Sequence, residues 1–129
     1  MKALNILLLG LFFSCFSSHL VAQNMEVPSA VIAALNNSNS NQLGSFFNNQ
    51  IELVVGNQND VYSNQQAQAI ISDFFRRNHI LSFHLLHKGT KETACFAIGV
   101  LKTSNGGYRV YILMRKNLIQ QLRIELSND

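Results

Sequence analysis

From His79 to Leu126 apolar residues recur at every second position, and Asn105-Gly106 lies between the two cleanest such runs, 93–103 and 108–116. Asn-Gly between alternating runs is the strongest short-range hairpin signal, because both residues tolerate the positive φ of a tight two-residue turn. Further strands are expected at 81–88 and 118–126. Gly89-Thr90 and a very tight connection near Lys116-Asn117 mark the remaining breaks. A four-stranded meander of this kind needs helices over one face to build a core.

The preceding half supplies them. Val27, Val31, Ala34 and Leu35 fall at helical spacing behind Pro28, which suits a first helical turn, and Asn36-Asn37 ends that helix. A second short helix is expected from Ser40 as N-cap through Leu43, Phe46 and Phe47 to Asn48-Asn49. Residues 51–55 then read as a strand closed by Gly56-Asn57, with a short extended piece at 60–62. Ser63 and Gln66 have capping-box spacing and open the clearest helix, whose stripe is Ala67, Ile70, Ile71, Phe74 and Phe75, ending near Asn78. The class is α+β.

Lys2, an apolar stretch from Ala3 to about Phe13, and then small residues up to Ala22 follow the order of a secretory signal peptide. The expected arrangement is a signal peptide over 1–22 and a single domain over 23–129, exported to a periplasm or beyond. That leaves no stable membrane span after cleavage. An apolar core of about eleven residues is too short for a permanent span. Acylation of Cys15 is the less favoured alternative, since Phe12-Phe13-Ser14 departs from the usual Leu-small-small approach. Without Cys15, Cys95 stands alone in the apolar run 94–98, where a buried, inert thiol is expected.

Two short helices, a strand, a capped helix and long hairpins resemble the nuclear transport factor 2-like fold of the cystatin-like cone superfamily, a curved sheet wrapping its helices. Val61-Tyr62-Ser63, Asp73-Phe74-Phe75, the run 85–89, Ala97-Ile98-Gly99, the run 108–111 and the run 119–125 more closely resemble domain-of-unknown-function family 4783. These are small exported bacterial proteins. The resemblance implies a curved antiparallel sheet of about four to six strands with three helices from the N-terminal half on one face. It also implies export. It carries no catalytic motif. The last hairpin turn is shorter here than the family pattern, which leaves the register of 118–126 open.

A turn at Asn105-Gly106 pairs Leu101 with Val110, Gly99 with Ile112 and Ala97 with Met114 on one face. Gly99 and Ala97 leave room there for the helix bearing Phe74, so this face is expected to be the core. The other face carries Phe96, Ile98, Val100, Tyr111 and Leu113, with Lys102, Arg109 and Arg115 around them. An apolar centre within a basic rim reads as an interface, with a homodimer as one use. A small apolar or amphipathic ligand is the other expectation, in a cone cavity among Tyr62, Phe74, Tyr108, Ile112 and Met114.

Residues 23–75 hold four carboxylates and no Lys or Arg, whereas 76–129 hold nine Lys/Arg against three carboxylates, so a dipolar domain is expected. No run of like charges exceeds two residues, which argues against a nucleic-acid arm. His84 and His87, three apart, would point to opposite faces of a regular strand, so no metal is expected. No cofactor, serine elbow or phosphate loop is discernible. The expected function is a non-catalytic exported binding domain, for a small ligand in the cavity or a protein on the sheet face. A self-associating envelope protein is one alternative. The other, by fold analogy alone, is a proton-transfer enzyme with Asp60 and Tyr62 in the cavity.

Overall fold

The computed structural model describes residues 26–127, so the expected signal peptide and Cys15 lie outside the described residues. Three helices, α1 (Ser29–Asn36), α2 (Ser40–Gly44) and α3 (Asn64–Arg77), combine with six strands. These are β1 (Phe47–Val55), β2 (Gln58–Ser63), β3 (Ile80–Lys91), β4 (Ala94–Thr103), β5 (Gly106–Arg115) and β6 (Leu118–Leu126). They form one curved, unclosed sheet in the order β2-β1-β6-β5-β4-β3. Neighbours run antiparallel except β1 and β6, which are parallel. That pairing brings the end of the chain into the middle of the sheet.

The helices cover one face. Ser63 Oγ accepts the Gln66 N–H at 3.2 Å while Gln66 Oε1 accepts the Ser63 N–H at 3.3 Å, completing the capping box that starts α3. Ala67, Ile71, Phe74 and Phe75 then turn inward. They meet Leu53, Leu122 and Ile124, which are fully buried on the sheet. A buried side chain of this size stabilises the fold by about 1.5–3 kcal/mol relative to exposure. Ile112 and Met114, at 2 % and 1 % exposure, close the middle of the cone with solid packing.

Several expectations change at the ends of elements. The second helix is capped by Asn39, whose Oδ1 accepts the Gln42 N–H at 3.0 Å, and it stops at Gly44. Phe46 and Phe47 leave it because the sheet claims them: the Ile119 N–H donates to the Phe46 carbonyl at 2.7 Å and Phe47 pairs with Ile119. Gly89-Thr90 is strand, and the chain reverses at Glu92-Thr93, with Glu92 at φ 56°. Gly89 sits under the Phe96 ring, whose Cζ lies 2.8 Å from where a Cβ would stand.

The β4–β5 turn is Ser104-Asn105, with Thr103 opposite Gly106, so the register is displaced by two residues from the expected one. Leu101 faces Tyr108, Gly99 faces Val110, Ala97 faces Ile112 and Cys95 faces Met114. A two-residue displacement keeps every side chain on its expected face, and only the partners change. Gly106, at φ 126°, takes the strained position after the turn. The tip is fixed from outside the hairpin: Asn105 Nδ2 donates to the Arg77 carbonyl at 2.9 Å, and the Ser104 N–H donates to the His79 carbonyl at 2.9 Å.

The space over Gly99 is filled by Phe83 of the neighbouring strand, whose Cζ lies 2.3 Å from an ideal Cβ position, and not by the helix bearing Phe74. The last hairpin turns on Lys116 (φ 52°) and Asn117 (φ 64°), a two-residue turn in the left-handed region, and Gln120 of β6 then bulges opposite the Leu113-Met114 step of β5. Cys95 is buried on the core face, and that burial pushes its thiol pKa up.

Candidate functional site

A cleft of ≈ 860 Å³ opens at one end of the cone, between α3, the β1–β2 turn and the ends of β5 and β6. Its apolar lining is Val54, Val55, Ala69, Ile70, Phe74, Ile124 and Leu126. Its polar lining is Asn57, Gln58, Asp73, Arg77, Asn78, Tyr108 and Glu125, the last standing where the cleft meets the outer sheet face. The Phe74 and Tyr108 rings meet edge to face, with centroids 5.1 Å apart at 87°, which holds both in one orientation.

Behind them sits Asn78, the residue that ends α3 and is 9 % exposed. Its Nδ2 donates to the Phe74 carbonyl at 3.0 Å, and its Oδ1 accepts from Asn105 Nδ2 at 3.0 Å. The Tyr108 hydroxyl lies 3.5 Å from the same Oδ1, a long bond at the limit of hydrogen-bond geometry. One wall is therefore pinned to the α3 C-terminus and to the β4–β5 tip.

Asp73 bridges Arg76 and Arg77, the latter at 2.9 Å. The hydrogen bond from Arg76 holds its carboxyl below the usual carboxylate range; desolvation opposes it, and the charges of both arginines with the hydrogen bond from Arg77 outweigh that opposition. Asp73 is thus an ionised, occupied acceptor at neutral pH. It is poorly suited to donate a proton.

The sequence-derived cavity residues are divided by the structure. Phe74 and Tyr108 line the cleft. Ile112 and Met114 lie in the packed core and do not line it. Tyr62 is half-buried against the core, and its hydroxyl donates to Gln58 Oε1 at 2.8 Å, which places it one residue behind the lining. Asp60 is exposed on β2, its Oδ1 accepting the Val61 N–H at 2.7 Å, and it lines no cleft described here.

Phe96, Ile98, Val100, Tyr111 and Leu113 share the sheet face away from the helices: Phe96 lies opposite Leu113, Ile98 opposite Tyr111, and Val100 opposite Arg109. A bulge between Leu85 and His87 brings His84 opposite Val100 and His87 opposite Ile98, so both imidazoles lie on this same face. The expectation of opposite faces fails because the extra residue breaks the two-residue period. No three His, Cys, Asp or Glu side chains gather as a metal-binding group among the described residues.

A second cleft, ≈ 480 Å³, lies between α1 and β3, with Val27, Ile32, Leu85 and Ala97 in its lining and the Glu26–Lys88 ion pair (3.4 Å) beside it. Sequence reasoning missed Asn57, Gln58, Asp73, Arg77 and Asn78. The available signal was Asn78 four residues beyond Phe74, on the face of the helix stripe.

The family model for a domain of unknown function, DUF4783, matches residues 28–125, almost all of the described fold. The chain belongs to the DUF4783 family. A DUF4783 family protein from Bacteroides ovatus is 31% identical, with a TM-score of 0.76, covering 81% of this chain and 99% of that one. A DUF4783 family protein from Bacteroides uniformis is 30% identical, with a TM-score of 0.75, covering 80% and 99%. An NTF-2-like protein of unknown function from Burkholderia xenovorans is 8% identical, with a TM-score of 0.61 over 78% of this chain and 80% of that one, a likeness of fold alone. No protein of curated function matches the sequence. The DUF4783 chain thus has the nuclear transport factor 2-like architecture, with the middle of its cone packed solid and its main cleft at one end.

Proposed function

We propose that this DUF4783 domain is a non-catalytic binding module that takes a small amphipathic molecule in the cleft beside Phe74 and Tyr108. The observation that carries this reading is the lining itself. An edge-to-face aromatic pair and aliphatic side chains stand against one polar wall of Asp73, Arg77, Asn78 and the Tyr108 hydroxyl. Small-molecule sites combine an apolar body with a few placed polar groups in this way. Asp73, engaged by Arg76 and Arg77, holds the Arg77 guanidinium at this wall. Export of the mature domain is part of the proposal and follows from the N-terminal sequence.

The test is titration of the protein with anilinonaphthalene sulfonate, an amphipathic fluorescent probe, alongside Ala69→Trp. Ala69 is an exposed lining residue of α3, so a large ring there fills the cleft without entering the core. Saturable binding that Ala69→Trp abolishes, with an unchanged thermal melt, supports the proposal. Unchanged binding in the variant contradicts it.

A further inference from the structure

We propose that the outer sheet face docks on an anionic lipid surface. Phe96 and Leu113 form one cross-strand pair on this face and Ile98 and Tyr111 the next, with Tyr111 the most open at 36% exposure. Strand register puts Lys91, Lys102, Arg109, Arg115 and Arg123 on the same face, against Glu52 and Glu125. Among the described residues of this face five cations stand with two carboxylates; Arg109 has a partner of its own, so the surplus rests on Lys91, Lys102 and Arg115. Both carboxylates are already engaged: Glu125 accepts from Arg123 Nη2 at 2.7 Å, and Glu52 accepts from Gln121 Nε2 at 3.2 Å.

Charge selects the occupant. A second copy seated face to face brings one surplus of positive charge against another, which opposes the homodimer expected from the sequence. An acidic, fluid surface complements the surplus, and the remaining carboxylates of 26–75, Glu26, Asp60 and Asp73, are off this face. Aromatic rings and arginine stems suit the headgroup layer, where an apolar body and a polar tip are both satisfied. Among the described residues no helix is long and apolar enough to cross a membrane, so attachment through this face is peripheral.

The test is co-sedimentation of the full chain with vesicles of phosphatidylcholine alone or with about 30% phosphatidylglycerol, at low and high salt. The variants are Lys102→Glu with Arg115→Glu, two exposed sites, and Tyr111→Ser. Circular dichroism confirms the fold, and light scattering reads the mass. The expected result is binding to anionic vesicles that weakens with salt and falls by at least about tenfold in the double charge reversal. Tyr111→Ser weakens it further without abolishing its salt dependence. Equal binding to both vesicles would assign attachment to the apolar stretch near residues 3–13 and overturn the proposal. So would full binding by the folded double variant. A wild-type dimer that Leu113→Arg converts to a folded monomer would give the face to a second copy instead.

Discussion

Asn105, at the tip of the β4–β5 hairpin, donates its side-chain amide to Asn78 Oδ1 at 3.0 Å, and through that one bond the hairpin is tied to the residue that ends α3. The same amide reaches the Arg77 carbonyl at 2.9 Å, satisfying a helix-terminal acceptor that has no partner within the helix. Tyr108 is the third residue of β5, just beyond this tip, so the cleft's aromatic wall inherits its position from Asn105.

Asn105→Ala is therefore expected to destabilise the fold by about 1–2 kcal/mol, because it removes two hydrogen bonds and leaves Asn78 Oδ1 poorly satisfied. Chemical denaturation measures the loss. Probe affinity in the cleft should fall in the same variant, even though Asn105 is not among the lining residues. A variant as stable as wild type, with unchanged affinity, would show that the tip does not hold the wall.

Two glycines under aromatic rings should respond differently to a methyl group. At Gly99 a Cβ would stand 2.6 Å from the His84 carbonyl oxygen as well as 2.3 Å from Phe83 Cζ, and the backbone atom cannot swing away. At Gly89 the nearest atoms all belong to the half-buried Phe96 ring. Gly99→Ala should cost about 1–3 kcal/mol, the usual range for overpacking, and Gly89→Ala less. Equal costs in paired melts would contradict the assignment of Phe83 to the space over Gly99.

Acid should reveal the Asp73 cluster. Its folded pKa is depressed, chiefly by the hydrogen bond from Arg76, so its contribution to stability is present above the ordinary carboxylate pKa. That contribution is lost as pH falls through the lower folded value. The stability difference between wild type and Asp73→Asn should be constant near neutrality, shrink below about pH 4 and diminish with added salt. A difference that grows on acidification would contradict the assigned sign.

The interior was legible in the sequence because its signals are local. The Ser63–Gln66 box, the stripe from Ala67 to Phe75 and the two-residue period of β4 and β5 each depend on near neighbours, and each has its expected place. What escaped depends on distant residues. Phe46 and Phe47 look helical until Ile119 arrives from the far end of the chain. Gly89 looks like a turn until Phe96 is laid over it, and Asn105-Gly106 looks like a free-standing turn until α3 takes hold of Asn105. One bulge between Leu85 and His87 was enough to reverse the relation of two histidines. The cleft was half legible. Phe74 and Tyr108 stand in it, but Ile112 and Met114 filled the space that the cone analogy had left open.

The most direct test of the binding role is amide chemical-shift mapping of the protein titrated with anilinonaphthalene sulfonate. The account predicts saturable shifts confined to Ile70–Asn78 on α3, Val55–Gln58 in the β1–β2 turn, and Tyr108 and Ile124–Leu126 at the strand ends, the segments that line the cleft. Shifts centred on Ile112 and Met114 would mean that the packed cone opens to admit the ligand. Those two residues, shifting in place of the cleft segments, would contradict the account.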